Sequence, residues 1–414
     1  HSTYDGHKNV MMFRTVVVAD AFDLNNVCQG DGFLFVRDGV GHAGRGTYFS
    51  GTSSDVLSRL STATTSQHPS RSEAPICFGL VPFLSSEADL FFIPSQLFSK
   101  TKNGEQILTL VGDSDNDLTD DVVSRAIHDA VTTQPPRPSG NSFQVSPRTP
   151  IGRYLDAVLA ARQAVRNGIL QKAVIARDIE VLASEPIDVH SVLLRLRSSF
   201  GSSYRYCIHN MIGASPELLV EVDHRTVRSH PLAGTAPRTG DPESDAQLAS
   251  ALTRSTKDQI EHRVVIDMVR DTLLPYCSFL DWEAEPSIVT VANVQHLGTS
   301  IEGALTEPPV DVMTLVHALT PTPALGGFPS QEAIDFIQTH EMMSRGFYGG
   351  AVGWCDANGQ GTFAVTIRCA ELTDDRRIAR LFAGGGIVAE SDPYSEFAET
   401  QAKFQAMLSA IVRP

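Results

Sequence analysis

Near its end the chain runs Gly384-Gly385-Gly386-Ile387-Val388, then Ser391-Asp392-Pro393, then Glu396, Glu399 and Lys403. Ser391 or Asp392 suits a helix N-cap and Pro393 the first helical position, which predicts a helix carrying the three charges. Their spacing of i, i+3 and i+7 confines them to an arc of about 60°. The glycines before that helix let backbone N–H groups come close to a ligand. One segment therefore offers hard-metal ligands, a cation and anion donors. A solvated helix face with Glu-to-Lys support at i,i+4 is the plainer alternative.

Other residues could join this chemistry. Alternation over residues 363–372 predicts a strand with Phe363, Val365, Ile367 and Cys369 on its apolar face and Ala364, Thr366, Arg368 and Ala370 on the other. An arginine amid small residues suits a substrate carboxylate, gripped by both arms of the guanidinium. A structural ion pair is the alternative. Lys172 opens an apolar strand, and burial there would lower its pKa and leave it able to act as a base. It could equally snorkel from the strand end. Glu217 stands between the turn residues Gly213-Ala-Ser-Pro216 and the apolar Leu218-Leu-Val220. That setting favours a raised pKa and a general acid, unless the side chain points to solvent. Glu261 has Asp258 at i−3 and Lys257 at i−4. It could hold a divalent ion with Glu396 or Glu399, and an all-oxygen set points to Mg²⁺ rather than zinc. The alternative is a surface charge cluster. His296 reads as lying at a strand end, either as a donor to a ligand or as a structural histidine. Residues 230–235 read as a Gly/Pro turn.

The elements that must position these groups are strands and long helices interleaved after residue 150, an α/β or α+β pattern. A helix is predicted over 154–167, strands over 173–181 and 204–211, a long helix over 248–274, and a closing helix over 397–412. Residues 1–133 read as strand-rich and complete the same sheet core. Residues 134–150 are rich in Pro and Ser and read as a linker or surface loop, and 151–414 carry the chemistry.

The chain has 414 residues and a net charge of −15, which argues against nucleic acid as a partner. A small anion would have to be held by local cations, metal or backbone donors. No apolar run is long enough for a membrane span. Nothing at the start resembles a signal peptide, and the polar His1–Asn9 reads as a non-native addition. Six scattered cysteines without zinc spacing favour reduced thiols and a cytoplasmic setting.

Taken in order, the motifs resemble the chorismate-utilising enzymes, a family of anthranilate, aminodeoxychorismate, salicylate and isochorismate synthases. They are Gln171-Lys-Ala-Val-Ile-Ala-Arg177, Gly213-Ala-Ser-Pro-Glu217, Pro231-Leu-Ala-Gly-Thr235, Lys257-Asp258 with Glu261-His262, and His296-Leu297. Tyr348-Gly-Gly, Val352-Gly-Trp354, Thr366-Ile-Arg368 and Gly384 through Lys403 continue the series. Pro321-Thr-Pro-Ala-Leu-Gly-Gly-Phe-Pro329 is similar to the isochorismate synthase subgroup, and Ala233 replaces the lysine nucleophile of aminodeoxychorismate synthases. Thr320, Gly385 and Phe397 depart from the residues usual at those positions.

The resemblance implies a single complex domain of two sheets with helices packed outside. It implies a Mg²⁺-dependent isochorismate synthase in which Lys172 activates water and Glu217 protonates the leaving hydroxyl. Glu261, Glu399 and Glu396 would hold the metal over the ring carboxylate. Arg368, Tyr348, Lys403 and the N–H groups of Gly385 and Gly386 would hold the enolpyruvyl carboxylate. Thr235 and His296 would contact the substrate, and Ala324 and Leu325 would shape the ring pocket. It further implies a monomer without a glutaminase subunit, serving siderophore or menaquinone synthesis. A salicylate synthase, an ammonia-using anthranilate-type synthase and a catalytically silent chorismate-binding partner are the alternatives.

Overall fold

A computed structural model describes residues 10–138 and 140–413; the reading of His1–Asn9 lies outside the described residues. Among these, the strands form one continuous sheet of 20 strands and a separate sheet of three, with helices packed against them. Two large apolar clusters make the core. One includes Phe78, Tyr154 and Phe363, and the other Leu34, Leu193 and Phe404. No helix among the described residues is long and apolar enough to cross a membrane.

The N-terminal strands are part of the large sheet. Phe33–Arg37 pairs with Tyr204–Ile208, and Ile76–Val81 pairs with Ala351–Asp356, Cys77 opposite Cys355. Within the proline-rich stretch, Phe143–Pro147 is a strand that pairs with the end of Lys172–Ala183. Part of the predicted loop is therefore sheet.

The Lys172–Ala183 strand is the spine of the chemistry. Along its length it pairs with Ile378–Ile387, which sets Gly386 opposite Val174 and Gly385 opposite Ile175. At its start Lys172 faces Phe328 of the short Gly327–Phe328 strand. The closing helix runs Pro393–Val412, with Asp392 as N-cap accepting from the Ser395 N–H and Pro393 in the first turn. This is the capping chemistry that its sequence predicts.

Four further predicted elements differ. The long helix over 248–274 is two, Pro242–Arg254 and Thr256–Leu273, broken at Ser255. Ser255 ends the first in an extended conformation, and its hydroxyl caps the second through the Asp258 N–H. The strand over 204–211 is a hairpin that turns after Ile208, with His209 at φ 55°. The predicted turn at 230–235 is largely strand, since Leu232–Pro237 pairs with Val294–Gly298 across a register shift at Gly234, φ 84°. His296 accordingly sits mid-strand and not at a strand end.

The fourth difference bears on the site. Residues 363–372 are not one strand: Gly361–Val365 ends, Arg368 takes a left-handed φ of 50°, and Cys369–Leu372 begins again. Surrounding groups impose this sparsely populated conformation. The Tyr206 hydroxyl donates to the Ile367 carbonyl at 3.1 Å, and the Ala214 N–H donates to the Arg368 carbonyl at 3.1 Å.

Candidate active site

A cleft of about 540 Å³, counting its open mouth, lies over the glycine run of Ile378–Ile387. Glu217, His296, Arg368 and Lys403 line it, together with Thr235, Tyr348 and the wall residues Ala324 and Leu325. Gly385, Gly386 and Glu261 reach it as well. Lys172, Glu396 and Glu399 stand in the layer behind.

Lys172 is wholly buried. Its Nζ lies 3.3 Å from Glu261 Oε1, near enough for ion pairing, yet no group among the described residues meets it in hydrogen-bonding alignment. Burial lowers its pKa, opposed by Glu261 and Glu217 and helped by Lys403. The snorkelling alternative is overturned.

Glu217 is also buried, just before the Leu218–Asp223 strand, and does not point to solvent. Burial pushes its pKa up to about 7, against the Leu232 N–H and the charges of Lys172, Arg368 and Lys403. The Leu232 N–H donates to Glu217 Oε1 at 3.2 Å and fixes the carboxyl.

Arg368 and His296 form a second pair. The guanidinium donates from Nη2 to His296 Nε2 at 3.0 Å. His296 Nδ1 lies 3.2 Å from the Gly234 carbonyl and 3.2 Å from the Thr235 hydroxyl. An Nε2 that accepts and an Nδ1–H that donates define a neutral ring in one tautomer. Burial, with Arg368 and Lys403 nearby, keeps its pKa well below the usual histidine value. The remaining guanidinium N–H groups have no protein acceptor among the described residues, so they are free for an anion. Tyr348 stacks on Phe382 with ring centroids 4.8 Å apart.

The acidic side of the cleft is densely paired. Lys403 Nζ donates to Glu399 Oε1 at 2.6 Å and to the Gly384 carbonyl at 2.7 Å. Lys257 Nζ lies 2.8 Å from Glu396 Oε1. Burial opposes the Lys257 charge, but Glu261, Glu396 and Glu399 outweigh it and hold its pKa above the usual range. Burial and the neighbouring Glu399 raise the Glu396 pKa; burial pushes on Glu399 too, but Lys403 and Lys257 bring it below the carboxylate range.

The glycines make this crowding possible. A Cβ on Gly386 would stand 2.2 Å from Glu261 Oε1 and 2.5 Å from Lys172 Cε, and one on Gly385 2.9 Å from Glu396 Oε2. Any side chain there would displace the charged groups.

Among the described residues, no three His, Cys, Asp or Glu side chains converge at metal-ligating geometry. Glu396 and Glu399 turn instead to their lysines. The donor set nonetheless fits a hard divalent cation, because the carboxylates offer only oxygen and Glu396 Oε2 is buried without a partner.

The sequence profile of the family described as "Chorismate binding enzyme" matches residues 49–412. The chain belongs to that family. Among its relatives, isochorismate synthase DhbC of Bacillus subtilis is 38% identical over 284 residues, covering 66% of this chain and 71% of that protein. The vibriobactin-specific isochorismate synthase of Vibrio cholerae is 33% identical over 344 residues, 81% and 79% of the two chains. The solved structure of MenF, the menaquinone-specific isochorismate synthase of Escherichia coli, has a TM-score of 0.82 at 24% identity and covers 96% of this chain and 94% of its own. At that identity the likeness is one of fold.

Each residue that the sequence reading placed in the site lies in this cleft or in the layer behind it. Sequence reasoning missed Lys257 as the partner of Glu396, Leu232 as the N–H donor to Glu217, and Gly384, whose carbonyl holds Lys403. Lys257 and Glu396 sit on different helices, so no spacing could reveal the contact. Leu232 and Gly384 act through backbone atoms, which side-chain type does not encode.

Proposed function

We propose that this chain is an isochorismate synthase, an isomerase that adds water at C2 of chorismate, shifts the ring double bonds and expels the 4-hydroxyl. One observation carries the reading most. A buried lysine with a lowered pKa and a buried glutamate with a pKa of about 7 serve one cleft that also holds free cationic donors. Burial favours the neutral amine on Lys172 and the protonated carboxyl on Glu217, the forms that a base and an acid acting on one substrate require.

In this reading Lys172 takes a proton from water as its oxygen bonds to C2. Glu217 gives a proton to the C4 oxygen, which leaves as water, so the ring gains and loses one hydroxyl. Glu217 is oriented for that transfer by the Leu232 N–H. Arg368 holds a substrate carboxylate with its free N–H groups while neutral His296 fixes the guanidinium. Lys403 and the N–H of Gly386 complete that anion site, with Tyr348 closing it; the Gly385 N–H, expected to join them, faces Ile175 in the sheet ladder instead, because Gly384 and Gly386 are the residues that face the Lys403 side. Ala324 and Leu325 form the wall of the ring pocket, and Thr235 borders the substrate. Glu261, Glu399 and Glu396 would hold Mg²⁺, which supplies positive charge for the ring carboxylate. Ala233 lines the cleft and offers no nucleophile, which favours water as the attacking group.

The chain works as a cytoplasmic monomer without a glutaminase subunit. Its product serves siderophore synthesis, a choice favoured by the vibriobactin-specific relative. Incubation with chorismate and Mg²⁺, followed by chromatography and a coupled pyruvate assay, tests the reading. Isochorismate without pyruvate is the expected result. Salicylate with pyruvate, an ammonium-dependent product, or unchanged chorismate in every assay would overturn it.

A further inference from the structure

The strand that carries Lys172 has an incomplete edge. On one flank it is paired along its length with Ile378–Ile387. On the other flank, Gly327–Phe328 covers only Lys172 and Ala173, and Phe143–Pro147 begins to cover it only at Ile179. Between them the Val174 N–H still reaches the Gly326 carbonyl at 2.9 Å, after which the loop turns away. The strand groups that follow, the Val174 carbonyl and the Ala176 N–H, are buried and need partners.

Two side chains supply them. Arg345 donates from Nη2 to the Val174 carbonyl at 3.0 Å, and Glu341 Oε2 accepts from the Ala176 N–H at 2.9 Å. The two join each other by Nε to Oε1 at 2.7 Å and Nη2 to Oε2 at 2.8 Å. Nη1 of the same guanidinium donates to the Leu325 carbonyl at 2.6 Å. Its Cζ lies 4.2 Å from the Phe83 ring centroid and 5.6 Å from that of Tyr348. Both side chains are buried, 3% and 1% exposed. Removing an ion pair so completely from water is expensive and offers little net stability, so its value lies in the geometry it imposes.

We propose that Glu341 and Arg345 are positioning residues that stand in for a missing strand, setting the place of Lys172 and of the Leu325 and Tyr348 walls relative to one another. Three sides of the cleft meet at one guanidinium: Val174 from the lysine's strand, Leu325 from the ring-pocket loop, and Tyr348 from the anion site. Neither residue lines the cleft, so neither touches substrate. The catalytic part of this inference rests on the isochorismate synthase reading; the structural part does not.

The test is the double variant Glu341→Met with Arg345→Met, which keeps volume and removes the charge pair together, so that no buried charge is left alone. Three quantities are measured: melting temperature, amide hydrogen exchange over residues 172–176, and kcat against KM. The expected result is a lower melting temperature with a cooperative transition retained, because the Val174 and Leu325 carbonyls and the Ala176 N–H lose their buried partners. Exchange at Ala176 should be at least about tenfold faster, and kcat about 100-fold lower with KM changed less than about threefold, the scale of a misplacement near 1 Å. Glu341→Gln keeps an acceptor for the Ala176 N–H and should recover kcat to within about tenfold of the parent. If the double variant does not fold, Glu341→Gln and Arg345→Lys are compared instead. The first should lose less activity than the second, because an ammonium cannot reproduce the fork. Unchanged exchange, or unchanged kcat per folded molecule, overturns the proposal. If the parent makes no isochorismate, the function reading falls, while exchange at Ala176 still decides whether the pair holds this strand.

Discussion

Lys172 and Lys403 belong to one cleft and differ in their company. Lys403 donates to Glu399 and to a backbone carbonyl, both under 3 Å, as a group held charged should. Lys172 is more deeply buried and meets its carboxylate only at 3.3 Å without hydrogen-bond alignment. The acids repeat the contrast: Glu217 is pushed up to about 7 by burial, whereas Glu399 is brought down by its lysines despite burial. Burial alone therefore does not decide what an ionisable group does. A well-aligned opposite charge makes a buried group a holder of charge, and its absence leaves the group ready to exchange a proton.

The contrast can be broken most directly at the loosely partnered end. Lys172→Ala and Glu217→Gln should each lower kcat by about 10²–10⁴-fold. Steady-state kinetics on chorismate would show it, and turnover unchanged in Lys172→Ala would remove the distinction between the two lysines.

A second consequence concerns pH. The folded Glu217 pKa of about 7 exceeds its ordinary 4.5, so the folded chain binds the proton more tightly than the unfolded chain. Stability from this group is therefore lost as pH rises from about 4.5 to about 7, and the loss is complete above that. Glu217→Gln should stabilise the protein by about 3 kcal/mol at pH 8 and hardly at all at pH 4. Urea denaturation at the two pH values would measure it. The parent's rate should fall above pH 7, as the acid loses its proton.

At the tightly partnered end, the effects should fall on binding. Arg368→Lys should raise KM for chorismate by about 10–100-fold, a loss of about 2 kcal/mol, with kcat changed much less. A kcat loss as large as that of Lys172→Ala would show that the two ends are not separate. The smallest expected effect is on the metal: Glu399→Gln should weaken Mg²⁺ binding about tenfold, read by titration calorimetry without substrate. Unchanged Mg²⁺ affinity would remove Glu399 from the ligand set.

The sequence made the closing helix legible, because Asp392, Pro393 and the i, i+3, i+7 charges follow local rules that tertiary packing did not override. The break at Ser255 was missed, because apolar periodicity runs across it and predicts one helix over 248–274, although Ser255 and Asp258 have the spacing of a helix-capping pair. The left-handed Arg368 was not legible, since alternation records which face a residue would take and not its φ, and the contacts that fix it come from Tyr206 and Ala214, more than 150 residues away. For the same reason the sequence identified charged residues but not their partners. Lys257 with Glu396, or Arg345 with the carbonyl of Leu325, are decided by how helices and strands meet.

The pairing of Cys77 with Cys355, 278 residues apart, also bears on how the protein is made. Synthesis proceeds from the N-terminal end at about 5–20 residues per second, so the Ile76–Val81 strand leaves the ribosome at least about ten seconds before its partner exists. Throughout that interval its wholly apolar sequence is an open edge, able to pair with another nascent chain. Yield in a cell should therefore depend on chaperone supply and on the rate of elongation across the middle of the message, even for variants whose folded state is as stable as the parent's.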